Sequence, residues 1–236
     1  MFFSNKEKVN IALDSKKPFI VLNFKTYKES EGDNALRLAE ICAKVQKKTG
    51  LNIIVCVQAI DLKDVSEAVH IPVFAQHVDN NAVGKSTGSI LPEELVDINI
   101  HGTLLNHSEK RLEFKDVKST VLKLKELNMT SIVCAKNDAE VKKFASIKPV
   151  RPDFIAVEPP ELIGGEVSVS SSKPDIIKKS VQLSSGANLL VGAGIKDNND
   201  VKLALNYGAK GVLLASHFVF SKNPEKFLFD LVNGLY

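Results

Sequence analysis

Eight short apolar runs, each followed by a stretch with helical spacing, constrain the fold of this chain more than any other feature. Short runs of β-branched and apolar residues predict buried strands. Here they span 18–24, 51–57, 72–75, 100–105, 130–134, 154–157, 188–191 and 211–214. Because these runs are almost continuously apolar, we expect a parallel sheet with both faces covered.

Helical patterns separate the predicted strands. The clearest spans 33–48, where apolar residues form one wide stripe and Gly50 follows. Others are predicted from 92 and at about 61–69, 114–127, 138–145, 174–183, 197–207 and 224–231. Eight strand–helix units in 236 residues predict an α/β fold, a closed (β/α)8 barrel. A doubly wound sheet is the alternative, although no GxGxxG follows the first strand.

No composition break divides this pattern, so a single barrel domain is expected at 18–236. Residues 1–17 precede the first strand as an N-terminal extension. Their apolar positions at 9 and 11–13 could form one helical face. A packed extra helix and a tail are both consistent with this pattern.

The composition argues against nucleic-acid, membrane and zinc-binding functions. The net charge is +3, and only three residues are arginines, without the basic clusters of nucleic-acid binders. No run approaches the roughly 18 apolar residues of a membrane span. The cysteines at 42, 56 and 134 lack CxxC spacing. We therefore expect buried free thiols in a reducing cytoplasm.

Polar side chains follow the ends of three predicted strands. Asn23 and Lys25 end the first, residues 106–109 (Asn-His-Ser-Glu) follow the fourth, and Glu158 follows the sixth. Taken singly, each has an ordinary explanation, such as a solvated lysine or a structural histidine. Because active sites of such barrels lie at the carboxyl ends of the strands, together they predict one catalytic rim.

The chemistry of these residue types supports this prediction. A carboxylate such as Glu158 can take a proton from carbon, and a neutral imidazole such as His107 can polarise a carbonyl. Ser108 and Glu109 are predicted to begin a helix whose N-terminus lowers the pKa of His107. Lys25 offers positive charge to an anionic substrate. Backbone N–H groups of the small residues after strands seven and eight could bind a phosphate.

Glu158 also lies at the root of a loop with an unusual composition. Pro159 and Pro160 restrict the backbone of its first half, and Gly164 and Gly165 give the backbone of its second half more conformational freedom. This arrangement predicts a hinged lid over about 159–169 that is mobile without ligand and ordered with it. An ordinary turn beside a solvated glutamate is the alternative.

Five motifs together resemble the triosephosphate isomerase family, in the short form typical of archaea. Their order and spacing match from about residue 18 onward. The resemblance implies an intramolecular aldose–ketose isomerase of glycolysis and gluconeogenesis that acts through an enediolate, with neither metal nor organic cofactor. The motifs are Asn23-Phe24-Lys25-Thr26-Tyr27, Ala75-Gln76-His77-Val78, Gly84-Lys85-Ser86-Thr87-Gly88, Asn106-His107-Ser108-Glu109 and Val157-Glu158-Pro159-Pro160-Glu161-Leu162-Ile163-Gly164.

The same resemblance implies the role of each site residue. Glu158 is the base that moves the proton between two carbons, and His107 is the neutral electrophile. Asn23 and Lys25 bind the substrate and stabilise the enediolate, with Glu109 and Ser108 in support. The family positions whose backbone meets the substrate, mainly its phosphate, are Ile163, Gly194, Ala215 and Ser216.

Two positions depart from the family pattern. Glu166 stands in a lid that usually reads Gly-Thr-Gly, and its side chain is expected to point to solvent, away from the phosphate. His217 stands where archaeal relatives usually carry glycine. Its ring could narrow the phosphate pocket or cap its helix from outside. Both departures bear on rate and affinity.

The loop 77–90 is long for a connection that usually takes about two to six residues. Its residues 84–88 resemble the family loop that reaches into a neighbouring subunit beside the partner's Lys25. This predicts a homo-oligomer, either dimer or tetramer. A solvated excursion of a monomer is the alternative.

Two other functions remain open on the residues alone. The small turns after strands seven and eight also suit another sugar-phosphate isomerase or a prenyl transferase acting on glycerol phosphate, but residues 23–25 and 106–109 argue against both. A barrel that only binds a phosphorylated metabolite or a protein partner would be favoured by the loss of a catalytic residue. None is lost.

Overall fold

The computed structural model describes residues 13–159 and 174–235. In these ranges eight parallel strands pair in chain order and close into a barrel, with the first strand bonded to both the second and the eighth. The strands are β1 (Phe19–Asn23), β2 (Asn52–Val57), β3 (Val73–Ala75), β4 (Gly102–Leu105), β5 (Thr130–Ala135), β6 (Phe154–Val157), β7 (Asn188–Val191) and β8 (Gly211–Leu214).

This closure confirms the predicted (β/α)8 TIM barrel. The doubly wound alternative is wrong, because β8 pairs with β1 over four residues and so does not lie at an edge. The barrel also accounts for the continuously apolar strands. One face of each strand points into the barrel and the other packs against helices, so neither face meets water.

Helices follow the strands at nearly the predicted positions. They are α1 (Asp33–Thr49), α2 (Leu62–Ala68), α3 (Pro92–Asp97), α4 (Phe114–Glu126), α5 (Asp138–Ala145), α6 (Pro174–Leu183), α7 (Asn198–Asn206), α8 (Ser216–Val219) and α9 (Pro224–Val232), with a 3₁₀ turn at Lys28–Ser30. The 3₁₀ turn and α8 were not predicted, because three or four residues are too few to show a helical period. No helix in the described ranges has the length and hydropathy that a membrane crossing needs.

The barrel interior is filled by side chains and is not a pore. Alternate residues of the strands, such as Phe19 and Val21 on β1 and Phe154 and Ala156 on β6, form one inner cluster. The rings of Phe19 and Phe154 meet edge to face, with centroids 4.8 Å apart. A second, larger cluster lies between the strands and the helices.

The predicted N-terminal extension is described only from residue 13. Asn52, the first residue of β2, accepts a hydrogen bond from the Asp14 N–H at 2.9 Å and donates one to the Asp14 carbonyl at 2.8 Å. This end of the segment is therefore fixed to the amino end of the barrel. Residues 1–12 lie outside the described ranges, as do residues 160–169 of the predicted lid, including Ile163 and Glu166.

Candidate active site

The side chains predicted to be catalytic lie together at the carboxyl ends of the strands. Asn23, Lys25, His107 and Glu158 line one cavity, together with residues of β8 and of the turns after β7 and β8. Of the predicted backbone positions, Gly194, Ala215 and Ser216 line the same cavity. Glu109 borders a second cavity beside Lys25 and His107.

Strand periodicity places two of these side chains. On β1, Phe19 and Val21 point into the barrel, and Asn23 is the next residue in that series. On β6, Phe154 and Ala156 lead in the same way to Glu158. The polar site is therefore the last layer of the barrel interior.

The Glu158 carboxyl group is almost fully withdrawn from water, with 3 % of the residue exposed. Burial raises its pKa to about 7, although a hydrogen bond from the Cys134 thiol and the charges of Lys25 and Arg111 oppose the shift. Within the described ranges, its Oε2 has no hydrogen-bond partner. This is a carboxylate that can both accept and return a proton near neutral pH.

Gly192, which follows β7, makes room for the Glu158 side chain. A Cβ atom at this position would lie 2.9 Å from Glu158 Oε1 and still closer to its Cγ. Any larger residue would displace the carboxylate. The glycine in the predicted Gly-Ala-Gly turn thus positions the acid as well as ending a strand.

His107 has the tautomer that can donate to a substrate. The Glu109 N–H donates to its Nδ1 at 3.2 Å, which leaves the ring proton on Nε2. Nε2 faces Glu158, 3.8 Å from Oε1. Burial lowers the pKa of His107, and Lys25 and Arg111 lower it further, while Glu109 opposes them. The imidazole is therefore neutral at pH 7.

The predicted helix start at Ser108 and Glu109 is wrong. These residues form a turn, and α4 begins only at Phe114. Asn106, in a left-handed conformation with φ 58°, accepts a hydrogen bond from the Leu112 N–H at 2.9 Å and holds the intervening chain as a loop. The lowered pKa of His107 therefore comes from burial and nearby cations, without a helix N-terminus.

Lys25 is held in a conformation that a lysine seldom adopts, with φ 52°. Its N–H donates to Asn23 Oδ1 at 3.0 Å, and its carbonyl accepts a bond from Gln76 Nε2 at 2.9 Å. Its Nζ donates to Glu109 Oε1 at 2.7 Å. This strained residue is thus fixed at both its backbone and its ammonium group.

Sequence reasoning missed three residues that support the site. Gln76 fixes Lys25, as described above. The Cys134 thiol donates a hydrogen bond to the Glu158 carboxyl group. Burial raises the pKa of this thiol, so it stays protonated and can act as the donor. Arg111 donates from Nη1 to the Asn106 carbonyl and to Glu140, both at 3.1 Å. Of these three residues, only Arg111 has a position in the sequence that indicates a role in the site, because it lies in the loop after His107.

The wall formed by β7 and β8 is small and mostly apolar. Gly194 has φ 68°, a conformation that favours glycine, and Ser216 begins α8. His217 also lines the cavity. This position favours the alternative in which its ring narrows the pocket over the one in which the ring only caps its helix from outside. Ile163 lies outside the described ranges. Within them, no group of three or more His, Cys, Asp or Glu side chains could hold a metal ion.

Comparison with known proteins agrees with the geometry. A family model described as triosephosphate isomerase matches residues 18–233. Proteins named triosephosphate isomerase from Methanothermus fervidus and Methanothermobacter thermautotrophicus are each 47 % identical, over 93 % and 92 % of this chain and 99 % and 95 % of their own lengths. The one from Methanocaldococcus jannaschii is 44 % identical, over 90 % of this chain and 98 % of its length.

Proposed function

The chain belongs to the triosephosphate isomerase family, and from that premise we propose the role of each of its site residues. It is an isomerase that interconverts dihydroxyacetone phosphate and D-glyceraldehyde 3-phosphate. Family membership decides against the other phosphate-binding enzymes and the non-catalytic barrel considered above. What its own residues contribute follows from the geometry of the cavity.

Glu158 acts as the base. It takes a proton from the carbon beside the substrate carbonyl, and the C–H electron pair forms the double bond of an enediolate. The hydroxyl proton passes from one oxygen of the enediolate to the other, and the acid form of Glu158 returns its proton to the neighbouring carbon, which leaves the new carbonyl on the first carbon. The observation that carries this assignment is the buried Glu158 carboxyl in the cavity, with Oε1 3.8 Å from His107 Nε2. Burial raises its pKa to about 7, so the group can perform both transfers at neutral pH.

His107 acts as the electrophile. As the carbon loses its proton, negative charge develops on the carbonyl oxygen, and the Nε2–H of His107 donates to it. The Glu109 N–H on Nδ1 keeps the donor on the correct nitrogen. Since the ring is neutral, it polarises the oxygen without transferring a full charge to the cavity.

Asn23 and Lys25 bind the substrate and stabilise the enediolate. The Lys25 ammonium lines the cavity with its side chain only 14 % exposed, so its charge acts in a partly desolvated site. Glu109 positions this ammonium through their 2.7 Å bond, and Ser108 belongs to the same supporting turn. Backbone groups of Gly194, Ala215, Ser216 and Ile163 complete the phosphate site.

The active form is a homo-oligomer, a dimer or a tetramer, in which the loop 77–90 of one subunit lies against its neighbour. Two observations support this assembly. The loop is largely exposed, including Val83 at 71 %. A cavity of about 400 Å³, bordered by Lys25, Gln76 and Glu109, opens beside the active site and could receive such a loop.

The protein acts in the cytoplasm, as a single barrel domain at 18–236 with an extension at 1–17. The three cysteines are buried free thiols, which is typical of a reducing compartment. The continuous strand order and the shared core support one domain.

A coupled isomerase assay on Glu158→Asp tests the assignment of the base. Shortening the side chain by one methylene withdraws the carboxylate from the carbon, so kcat should fall by about a hundredfold or more. Glu126→Asp is the matched control, since Glu126 is exposed at the end of α4. Turnover of Glu158→Asp within a few-fold of the parent would overturn the assignment.

A further inference from the structure

The cavity wall built by β7 and β8 carries one titratable side chain among the described residues, that of His217. The other residues on this wall are glycine, alanine, isoleucine, leucine and one serine. They can offer backbone N–H groups and one hydroxyl to a bound anion, but no charge. Among the described residues that line this end of the cavity, His217 is therefore the one whose side chain could add charge, as an imidazolium.

No described residue blocks the ring of His217 from a ligand in the cavity. His217 is the second residue of α8, directly after β8, and lies exposed at the rim of the cavity. Among the described residues its neighbours act on it only through charge, with no hydrogen bond to either ring nitrogen. The nearest charges are Lys196, which follows β7, and Asp200 on α7.

The backbone N–H of Lys196 donates to Asp200 Oδ2 at 3.1 Å, which holds the Asp200 carboxylate against the segment that follows β7. Lys25, His107 and Glu158 line the same cavity as the ring. Within the described ranges, none of these charged groups makes a hydrogen bond or an ion pair with the ring. An anion entering the cavity could therefore accept a ring N–H that no described residue engages.

We propose that His217 is a substrate-binding residue that donates a ring N–H to the phosphate group and binds it most tightly as the imidazolium. This inference rests on the proposed function, since it concerns the phosphate of the same substrate. It adds a titratable charge to an anion site that is otherwise built from backbone groups and small residues. Affinity for a phosphorylated ligand would then depend on pH through this ring.

The direction of the dependence follows from linkage. Burial lowers the pKa of His217 in the free protein, and Lys196 lowers it further, whereas Asp200 raises it. A bound phosphate dianion favours the protonated ring and raises the pKa in the complex, so binding takes up a proton. The positive charge of the ring adds nothing to the affinity for phosphate at high pH. Its contribution to the affinity grows as the pH falls through the pKa of the ring in the complex, and it levels off below the pKa of the ring in the free protein.

Titration calorimetry with 2-phosphoglycolate at pH 6, 7 and 8 tests the proposal on the parent and His217→Gln. The ligand and Glu158 also titrate in this range, but they do so in both proteins, so the ratio of the two dissociation constants isolates the ring. We expect His217→Gln to bind within about twofold of the parent at pH 8 and roughly tenfold more weakly at pH 6.

His70→Gln is the matched control, because His70 is exposed just before β3, at the opposite end of the barrel. It should bind like the parent at every pH. A constant ratio for His217→Gln across the three pH values would overturn the proposal, as would tighter binding by this variant, which would mark the ring as an obstruction. A parent that failed to bind 2-phosphoglycolate at any pH would contradict the proposed function as well.

Discussion

Glu158 and Lys25 occupy conformations and environments that single residues of their types avoid. An ionised carboxylate loses hydration at a position where 3 % of the residue is exposed, and a lysine with φ 52° is strained. Neighbouring groups hold both in place, through Gly192 for the first and Gln76 for the second. Such exceptions are expected where function outweighs stability.

The buried acid predicts a stability effect with a definite pH dependence. The folded pKa of Glu158 is about 7, above its ordinary value of 4.5, so its contribution to stability is fully present below 4.5 and is lost as pH rises through 7. Glu158→Gln removes this titration. We expect the Tm of the variant minus that of the parent to be larger at pH 8 than at pH 5, measured by circular dichroism.

The exposed Glu126 supplies the control for this measurement. Glu126→Gln, at the end of α4, should shift the Tm by a similar small amount at both pH values. An equal Tm difference for Glu158→Gln at pH 5 and pH 8 would show that the pKa of this carboxyl is not raised.

The meeting of Asn23, Lys25, His107 and Glu158 in one cavity could be predicted from the sequence, because these residues stand at the ends of recognisable strands. Cys134 could not, because it meets Glu158 only when β5 and β6 are paired. Gln76 likewise meets Lys25 only across the barrel rim. Contacts between elements distant in sequence have no local pattern from which to predict them.

At the scale of elements, the loop between β4 and α4 decides the geometry of His107. The sequence predicted that a helix begins at Ser108 and Glu109, although its helical pattern ran only over about 114–127. The structure instead has a loop, because the Asn106 side chain makes two hydrogen bonds that hold it. Its Oδ1 accepts from the Leu112 N–H, and its Nδ2 donates to the Cys134 carbonyl on β5 at 2.9 Å. A side chain that satisfies the backbone competes with helix formation.

Removing these two bonds should loosen the loop. We expect Asn106→Ala to lower the free energy of unfolding by about 1–3 kcal/mol, because it leaves buried partners unsatisfied. It should also reduce kcat, since His107 is the next residue. Chemical denaturation and the coupled isomerase assay measure the two effects.

Asn128→Ala controls for backbone strain. Asn128 has a similar φ of 55° but lies exposed between α4 and β5, at the other end of the barrel. Its replacement should cost stability without reducing kcat. If Asn106→Ala kept full turnover, the loop would not be needed to position His107.

At the scale of the whole molecule, closure of the barrel brings the site together. Asn23 ends β1, Lys25 follows it, and Glu158 follows β6. The pairing of β8 with β1 brings the residues after β8 into the same cavity. The number and order of strands could be predicted from alternation of apolar runs and helical stretches. The assembly of subunits could be inferred only from the resemblance of the loop 77–90, because a single chain leaves that loop exposed.

A charge in this loop should separate the subunits. Thr87→Arg would place an unpaired charge in a contact between subunits, and we expect light scattering to show a shift toward monomer. Because the loop of one subunit would lie beside Lys25 of the other, kcat/KM should fall as the molar mass of the particle in solution falls. Gln182→Arg, exposed on α6, adds the same charge elsewhere and should change neither property. A parent that is already a fully active monomer would contradict the proposed assembly.

The most direct test of the account is whether proton transfer at carbon stops when Glu158 loses its carboxylate. Proton NMR of dihydroxyacetone phosphate in D₂O follows both isomerisation and the entry of deuterium at carbon. The parent should catalyse both, and Glu158→Gln should slow both by on the order of 10²–10⁴-fold while remaining folded. Deuterium entry within tenfold of the parent rate in Glu158→Gln would contradict the account, because another group would then be the base.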